Sequence, residues 1–432
     1  MKMKRVVVTG ISLATPIGNI KSRQDIPGFT AGLFGGKVGI VTDQTFEAMG
    51  FKAPYSGCVS DLEEWKDEIL PPDDGEFKVT RKFMGKGDTL ALALLPSVSA
   101  VKDAGLLELI RDNAEVSSQT AIFVGSGGPS TLDQVEAGAI LKEFGSARKI
   151  GPFSVPPTMS SGPSAIVATY LGARGGAISL TSACATGTHN IGHAYQQIAF
   201  GVRTIAVAGG ADDSHVTKAA GFEAMRKALY GGDLPPEKSS RPFDRDRNGF
   251  IDTPGGAVVV LEELEYAQAR GAHIYAEVVG FAYTSDGAGM TTPNGEGAKR
   301  CMIEALDSAG NPKIDYLNAH GTSTPQGDLV ETKAANSVFG DNKPYMNSTK
   351  SQTGHFLGGS GSAEAVFTVL STKEGKIGAQ VNLDNLDPEI AKDGWEPYIP
   401  TETISVPIEY AMSNSFGFGG TNGTLVFRRW DG

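Results

Sequence analysis

The sequence of 432 residues contains only three cysteines, Cys58, Cys184 and Cys301. So few cysteines cannot form a disulfide framework, and they suit a reducing compartment in which a free thiol can do chemistry. Long apolar runs are also missing, since none approaches the roughly 20 residues of a membrane span. The valine run at residues 6–8 is shorter than the roughly 7–15 apolar residues of a secretory signal. We therefore expect a cytoplasmic protein without membrane insertion.

Positive charge is in deficit as well. The chain carries 38 basic and 49 acidic side chains, a formal net charge of −11, so no general positive field exists to attract nucleic acid. The sequence has no GxxxxGK[ST] loop and no HExxH helix, which argues against a nucleotide-phosphate cradle and a zinc site. His189 and His193 share a helix face, but no third ligand is apparent, so we interpret them as packing residues and expect no metal.

Glycine, by contrast, is abundant, with 56 residues placed largely at the ends of apolar runs. Short runs rich in Val and Ile alternate with longer helical patterns, which predicts an α/β fold with a sheet covered by helices. The predicted strands cover residues 5–9, 120–125, 177–181, 204–209, 257–261, 274–280, 315–319, 345–348 and 424–428. The predicted helices cover residues 89–104, 188–199, 297–309 and 362–372.

The strand series repeats a plan, which indicates an internal duplication. In each series a strand leads into a Gly/Ser/Thr turn and a helix, and a later strand ends in Gly-Gly, at 209–210 and at 419–420. We place the two halves at residues 1–271 and 272–432. No long linker separates them, so we expect one compact body.

Cys184 is the first candidate for chemistry. It lies in the segment Thr-Ser-Ala-Cys-Ala-Thr-Gly-Thr at 181–188, between an apolar strand and a helical pattern. A thiol at a helix N-terminus faces free backbone N–H groups and the positive end of the helix dipole, so we expect a lowered thiol pKa and a nucleophile. The alternative is a small buried side chain without a chemical role.

His320 and His355 lie at strand-to-helix junctions of the second half, among glycines and hydroxyl residues. A lone histidine in a turn is more often a structural hydrogen-bonding residue. Two such histidines and a cysteine at equivalent ends of a duplicated sheet point instead to one site. Neutral imidazoles there would offer N–H donors to a developing oxyanion.

These residues and their motifs resemble the β-ketoacyl-acyl carrier protein synthases, the elongating condensing enzymes of fatty acid synthesis. The motifs are SACA around Cys184, NAHGTSTPQGD around His320, STKSQTGH with Lys350 and His355, and SNSFGFGGTNG at 413–423. The order Cys-His-His resembles the elongating type, closer to class I than to class II. A segment that departs from the family pattern is 252–256, where Asp-Thr-Pro-Gly-Gly replaces a more glycine-rich stretch.

The resemblance implies a thiolase-like fold, with duplicated halves in a five-layered α-β-α-β-α body, and a homodimer. It implies that Cys184 takes an acyl group from an acyl carrier protein while the backbone N–H groups of Cys184 and Phe418 hold the oxyanion. His320 and His355 would then donate to the malonyl thioester as carbon dioxide leaves, giving a 3-ketoacyl product. Neither a metal nor a redox cofactor is implied, because the malonyl group supplies the carbanion.

The resemblance also assigns supporting roles. Lys350 would tune the histidines and anchor the buried Glu364, although a simple buried ion pair is the alternative. Phe418 would be a gate to the acyl pocket with Phe416 packed beside it. Thr322 and Thr324 would supply the hydroxyls that hold the phosphopantetheine arm. Gly128 would be a small residue lining the acyl pocket.

An acidic carrier protein needs a local basic patch on this acidic chain. Candidates by position are Lys78, Arg81, Lys82, Arg148 and Lys149, and a solvated charged face is the alternative. Two other functions stay open: a ketosynthase of a specialised polyene or polyketide pathway, and a non-catalytic chain-length partner subunit. The intact cysteine and histidines argue against the second.

Overall fold

The computed structural model describes residues 3–70, 79, 81–225 and 227–432. Within them, the strands are β1 Val6–Thr15, β2 Gly18–Ile20, β3 Ile40–Thr42, β4 Tyr55–Gly57, β5 Thr120–Gly125, β6 Ile205–Asp212, β7 Gly255–Glu263, β8 Ala276–Ser285, β9 Tyr316–Asn318, β10 Tyr345–Asn347, β11 Lys376–Ile377, β12 Ile404–Ser405, β13 Tyr410–Gly417 and β14 Thr421–Arg429.

The helices are α1 Ile26–Phe34, α2 Gln44–Ala48, α3 Leu62–Ile69, α4 Thr89–Asp103, α5 Leu107–Asp112, α6 Ala114–Gln119, α7 Thr131–Phe144, α8 Val155–Thr158, α9 Gly162–Leu171, α10 Thr186–Ala199, α11 Val216–Ala224, α12 Pro236–Ser239, α13 Leu264–Ala269, α14 Glu296–Ser308, α15 Pro325–Phe339, α16 Lys350–Thr353, α17 Ser360–Glu374 and α18 Pro388–Lys392. Among the described residues, no helix has the length and apolar character needed to cross a membrane.

The main sheet joins two halves through a short pairing between β1 and β8. Its strand order is β10-β9-β13-β14-β8-β1-β7-β6-β5, with β2 beside β1. Only residues 6–8 of β1 pair with 276–278 of β8, so the sheet divides at this point.

The two halves repeat the same strand pattern. In the second half, β10, β9 and β13 run parallel and β14 and β8 follow antiparallel. In the first half, the segment at Ala177, β5 and β6 run parallel and β7 and β1 follow antiparallel. This agreement supports the duplication predicted from the sequence.

Helices cover both halves and also fill the space between them. α10 contacts β5, β6 and β7 of the first half and β8 and β14 of the second, and α17 likewise contacts both halves. α4 and α9 cover the outer face of the first half, and α14 covers the second half with α15 packed against it. The order is therefore α-β-α-β-α. α17 lies in the middle layer, where residues 360–372 are all buried, as expected for a helix enclosed on every side.

The strand predicted at 177–181 is the main difference from the sequence analysis. The structure gives this segment one bridge, Ala177 to Ile122, with hydrogen bonds from Ile122 N–H to Gly176 O (2.8 Å) and from Ile178 N–H to Ile122 O (2.9 Å). The segment forms the edge of the sheet beyond β5, and the Ile178 side chain is 53% exposed. Among the described residues this edge segment pairs only with β5, so the apolar run does not form a full strand.

Candidate active site

A cavity of about 380 Å³ lies between the two halves. Its lining brings together the three residues that the sequence singled out, Cys184, His320 and His355. Other predicted residues on the lining are Thr322, Thr324, Phe416 and Phe418, and lining residues that sequence reasoning missed include Phe222, Lys227, Phe250, Met290 and Leu357.

Cys184 lies within a tight turn, two residues before α10 begins at Thr186. Ala185 N–H donates to Ser182 O (3.1 Å), Thr186 N–H donates to Ala183 O (3.2 Å), and Ala183 has a φ of 48°. A small residue tolerates this left-handed conformation better than a bulky one. The turn therefore presents the thiol to the cavity at the end of the helix, as the motif predicts.

The end of β13 packs directly against this turn. A Cβ added at Gly417 would lie 2.9 Å from Ser182 O and 3.1 Å from Cys184 N, so only glycine permits the approach. Thr421 Oγ1 donates to Ser182 O at 3.1 Å on the other side of the hairpin. These contacts place the backbone N–H groups of Phe418 and of Cys184 itself within reach of the sulfur, where both lower the thiol pKa.

The expected lowering of the Cys184 pKa is not what the structure gives. Burial raises the pKa of the thiol to about 12, while the Lys350 charge lowers it and the Asp212 charge raises it. Desolvation penalises the thiolate more than the helix end and one nearby lysine stabilise it. The surroundings of Cys184 therefore favour the neutral thiol over the thiolate.

His320 is held from behind by a buried lysine. Lys350 Nζ donates to His320 O at 2.7 Å and lies 3.5 Å from His320 Nδ1. The N–H groups of His320 and Gly321 donate to Glu331 at 2.9 Å and 2.8 Å. Burial and the Lys350 charge keep the His320 pKa well below its ordinary value, so the ring is neutral. With the ammonium donating to Nδ1, the ring proton resides on Nε2.

His355 is oriented in a similar way by a hydroxyl. Its Nδ1 lies 2.9 Å from Ser360 Oγ, which also accepts from Phe356 N–H at 2.9 Å. The hydroxyl proton can be donated to Nδ1, and this contact is compatible with a His355 ring that carries its proton on Nε2. Burial and the Lys350 charge keep the His355 pKa well below its ordinary value. The two imidazole rings lie 5.4 Å apart between centroids, at an interplanar angle of 81°.

Lys350 acts from outside the cavity. Its side chain is 1% exposed, forms an ion pair with Glu364, and does not belong to the described lining. Burial raises the pKa of Glu364 to about 7, although the Lys350 charge opposes this rise. Both interpretations left open by the sequence therefore apply: Lys350 is part of a buried ion pair, and it contacts His320.

Four phenylalanines surround the histidines. The Phe416 ring lies 5.8 Å from that of His320, and the Phe250 ring lies 5.3 Å from that of His355. Phe222 on α11 contacts Phe250 at 5.3 Å and the 37% exposed Phe418 at 6.1 Å. Phe222 and Phe250 come from separate segments, so no sequence spacing indicated that they would meet here.

The β13–β14 turn that carries Phe418 depends on two glycines with positive φ. Gly419 and Gly420 have φ of 89° and 69°, a conformation that suits glycine. Gly419 N–H donates to Met290 O at 2.6 Å, and Asp286 N–H donates to Gly420 O at 2.9 Å. The turn and the segment at 286–290 therefore form the mouth of the cavity together.

Thr322 and Thr324 both line the cavity, whereas Gly128 does not belong to the described lining. The two threonine hydroxyls lie 3.1 Å apart, and Thr324 Oγ1 also accepts from Gly327 N–H as the cap of α15. Gly128 follows β5, and an added Cβ there would meet no heavy atom within 4 Å. Its role in the acyl pocket remains a prediction.

The predicted basic patch is only partly described. Lys78 lies outside the described residues, and Arg81 forms ion pairs with Asp67 and Glu63, so its charge is largely compensated. Lys82 is exposed next to Phe83, and the rings of Phe83 and Phe153 contact each other at 5.1 Å. That contact brings the segment at 81–83 near the exposed residues Arg148 and Lys149.

The helix-face histidines pack as the sequence indicated. His189 Nε2 bonds to Asn422 O at 3.0 Å, His193 Nδ1 bonds to His189 O at 3.0 Å, and both rings contact Phe281 and Tyr283. Within the described part of the chain, no cluster of three or more His, Cys, Asp or Glu is arranged to hold a metal.

Comparisons with known proteins agree with this geometry. The family model described as "Beta-ketoacyl synthase, N-terminal domain" matches residues 3–267, and the one described as "Beta-ketoacyl synthase, C-terminal domain" matches 275–384. The chain is 42% identical over 431 residues to 3-oxoacyl-[acyl-carrier-protein] synthase 1 of Haemophilus influenzae, covering 100% of both chains. It is also 42% identical over 429 residues to the synthase 1 of Escherichia coli, covering 99% of both chains. Its identity to synthase 2 of Vibrio cholerae is 38% over 439 residues, covering 99% of this chain and 100% of the relative.

Solved structures give the same result. A β-ketoacyl synthase from Burkholderia phymatum superposes with a TM-score of 0.88 and 33% identity, over 99% of this chain and 100% of that one. A type II polyketide synthase ketosynthase, solved as AntDE with its acyl carrier protein AntF, superposes with a TM-score of 0.84 and 27% identity, also over 99% and 100%.

Proposed function

Because the chain belongs to the β-ketoacyl synthase family, we propose that it is a 3-oxoacyl-[acyl-carrier-protein] synthase, an acyltransferase that elongates fatty acids by decarboxylative condensation. Membership of the family confirms the predicted resemblance and its thiolase-like fold. The observation that carries the proposal is the meeting of Cys184, His320 and His355 on one cavity. Full-length identity of 42% to named synthases supports the same reaction.

In the first half-reaction, the sulfur of Cys184 attacks the thioester carbonyl of an acyl carrier protein. The new C–S bond forms as the bond to the phosphopantetheine sulfur breaks, and the thiol proton leaves with that sulfur. The backbone N–H groups of Cys184 and Phe418 hydrogen-bond to the sulfur and would stabilise the tetrahedral oxyanion. Removing one such donor typically costs on the order of a hundredfold in rate.

In the second half-reaction, malonyl carrier protein enters and its C–C bond to the carboxylate breaks. The electron pair moves into the thioester as an enolate, and His320 and His355 donate to its oxygen from Nε2. Neutral imidazoles suit this task, because both rings have pKa values well below 6.5 and lose no proton in donating a hydrogen bond. The enolate carbon then attacks the acyl group and expels the Cys184 thiolate, which gives the 3-ketoacyl product.

The carrier protein is the proposed partner, and no metal or redox cofactor takes part in these steps. Thr322 and Thr324 on the cavity wall would hold the phosphopantetheine arm. Lys82, Arg148 and Lys149, which flank the Phe83–Phe153 contact, form the proposed docking patch for the acidic carrier. The cytoplasmic location expected from the sequence remains a prediction.

A second copy of the chain is the proposed occupant of the free sheet edge. Ile178 at this edge is 53% exposed, and Phe200 and Val202, which follow α10, are 56% and 48% exposed. Exposed apolar side chains favour pairing with a second copy. A homodimer would cover them. Light scattering on the purified protein tests this, since a monomer would contradict it.

The condensing function is tested by incubation with labelled acyl carrier protein. Wild type and Cys58→Ala, which removes an exposed cysteine elsewhere, should both retain label. Cys184→Ala should not. A non-catalytic partner subunit would retain no label in any of the three proteins.

The histidines are tested in the other half-reaction. His320→Ala and His355→Ala should each still accept the acyl group but lose release of carbon dioxide from malonyl carrier protein. Normal carbon dioxide release from both variants would refute the assignment.

A further inference from the structure

A carboxylate at the end of β6 lies behind the active site, and the reaction steps above do not use it. Asp212 is 0% exposed, and four donors surround it. Its Oδ2 accepts from the N–H groups of Gly127 (2.8 Å) and Gly358 (2.7 Å), and its Oδ1 accepts from Ser126 Oγ (2.8 Å) and Lys218 Nζ (3.4 Å). Burial raises the pKa of Asp212, while the Lys218 charge and the Gly127 N–H favour its carboxylate form.

The two backbone donors belong to loops from opposite halves of the chain. Gly127 follows β5 of the first half, and Gly358 lies three residues after His355. A Cβ added at Gly358 would lie 2.4 Å from Gly127 N, so the loops touch at Asp212. Asp212 therefore joins them through one oxygen.

Both sides of this junction carry backbone in the left-handed region. Leu357, next to Gly358 and on the cavity wall, has a φ of 45°. Ala183, next to Cys184, has a φ of 48°, and its carbonyl lies 3.5 Å from a Cβ added at Gly127. Such conformations persist where neighbouring groups hold them, and Asp212 supplies that support to the Leu357 turn.

The charge of Asp212 is balanced by one lysine shared with two other acids. Lys218 on α11 also contacts Asp213 Oδ1 at 3.2 Å, and its charge lowers the pKa of Asp252, which is buried beside the backbone of His355. Asp213 itself contacts neither Gly127 nor Gly358. It therefore provides a matched control for the charge of Asp212.

We infer that Asp212 is a positioning residue for condensation: its carboxylate holds the turn that carries His355 against the loop beside Cys184. It has two separable effects. Its oxygens fix the Leu357–Gly358 turn, and its negative charge opposes ionisation of the Cys184 thiol, against the Lys350 charge that favours it. His320 and His355 on the same cavity are neutral and add no charge. The charged side chains on the described lining are Lys227, Asp286 and Glu331. The first effect rests on the proposed condensing function, whereas the second concerns the thiol alone.

Two substitutions separate the effects. In Asp212→Asn the side chain loses its charge. Its remaining oxygen can still accept from the N–H groups of Gly127 and Gly358, and its amide group is directed at Ser126. The rate of Cys184 alkylation by iodoacetamide, followed by mass spectrometry against pH, should then rise at lower pH than in wild type, because only the thiolate reacts. Decarboxylation of malonyl carrier protein should fall only slightly.

Asp212→Ala removes the oxygens as well and leaves two buried N–H groups without acceptors. Its decarboxylation rate should fall by about tenfold to a hundredfold, the range expected when a catalytic group is misplaced, while thermal unfolding remains cooperative. Asp213→Asn should behave as wild type in both assays.

The inference fails if Asp212→Ala decarboxylates at the wild-type rate, or if Asp212→Asn and wild type share one alkylation profile. It also fails if Asp213→Asn reproduces both effects, because the charge of the cluster rather than the clamp would then be responsible. A wild type without decarboxylation would refute the proposed function instead and would leave the alkylation result valid.

Discussion

Replacing Lys350 by methionine removes the ammonium that connects Glu364 to His320. In the folded protein this side chain is 1% exposed, pairs with Glu364, and donates to His320 O at 2.7 Å. Loss of one partner of a buried ion pair typically costs about 3–5 kcal/mol, because the remaining charge is left unpaired. Glu364 can avoid this cost only by taking a proton.

The pH decides how large the loss is. Glu364 in the folded protein has a pKa of about 7, against an ordinary value of 4.5, a difference that corresponds to about 3 kcal/mol. At pH 6 the carboxyl is largely protonated in both proteins, so Lys350→Met should cost little there. At pH 8, about one unit above that pKa, the carboxyl is ionised in wild type. We therefore expect Lys350→Met to lose about 1.4 kcal/mol more unfolding free energy at pH 8 than at pH 6 in urea denaturation, because Glu364 must stay protonated in the folded variant.

The double variant Lys350→Met/Glu364→Gln separates stability from catalysis. Removal of both charges should restore most of the stability lost at pH 8, since no unpaired charge remains. Decarboxylation should stay low, because His320 Nδ1 still lacks its donor. Alkylation of Cys184 should also move to higher pH, because the Lys350 charge lowers the thiol pKa. Recovery of decarboxylation in the double variant, or equal losses of stability at pH 6 and pH 8, would refute the reasoning.

Three further predictions follow from the same contacts. Burial raises the Asp252 pKa to about 7, so the folding stability present below its ordinary pKa of 3.8 is lost as the pH rises through 7. Asp252→Asn should therefore raise the Tm more at pH 8 than at pH 6. Equal changes in Tm at the two pH values would contradict this. Gly128→Ile should fold, since a Cβ there meets nothing within 4 Å. It should lower kcat/KM for long acyl carriers by about tenfold relative to short ones. An unchanged chain-length profile would show that Gly128 does not line the acyl pocket. Thr324→Ala should destabilise by about 1 kcal/mol as a lost helix cap and raise KM for acyl carrier protein, whereas Thr324→Ser should do neither.

The cavity residues could be predicted from the sequence because the local sequence pattern at each of them coincides with its place in the site. His320 follows β9, His355 follows β10 and α16, and Cys184 lies between the edge segment at 177–181 and α10. The duplicated sheet brings these three positions to one cavity. Their backbone turns use small residues and glycines that the sequence displays directly. Strand order and layering follow from the same alternation of strands and helices.

The electrostatics could not be predicted in the same way. The Cys184 pKa depends on how completely the folded chain surrounds the thiol, and that desolvation outweighs the helix end that the motif reveals. Phe250 and Asp212 belong to segments whose proximity to the histidines is set only by packing of the two halves. The edge segment at 177–181 has the composition of a strand, but within the described part of the chain it pairs only with β5.

The placement of charge explains how the cavity favours loss of carbon dioxide. Among the described lining residues the charged ones are Lys227, Asp286 and Glu331, and the buried Lys350 is directed at Glu364 and His320 instead of the cavity. Next to the histidines the wall consists of the Phe250 and Phe416 rings. A malonyl carboxylate packed against these rings loses its hydration water and gains no cation as a partner, which disfavours the charged group. The departing carbon dioxide is uncharged and does not bear this cost. In the proposed mechanism the enolate oxygen, in contrast, meets two N–H donors from His320 and His355, so the site would stabilise the charge only after it has moved from the carboxylate to the thioester.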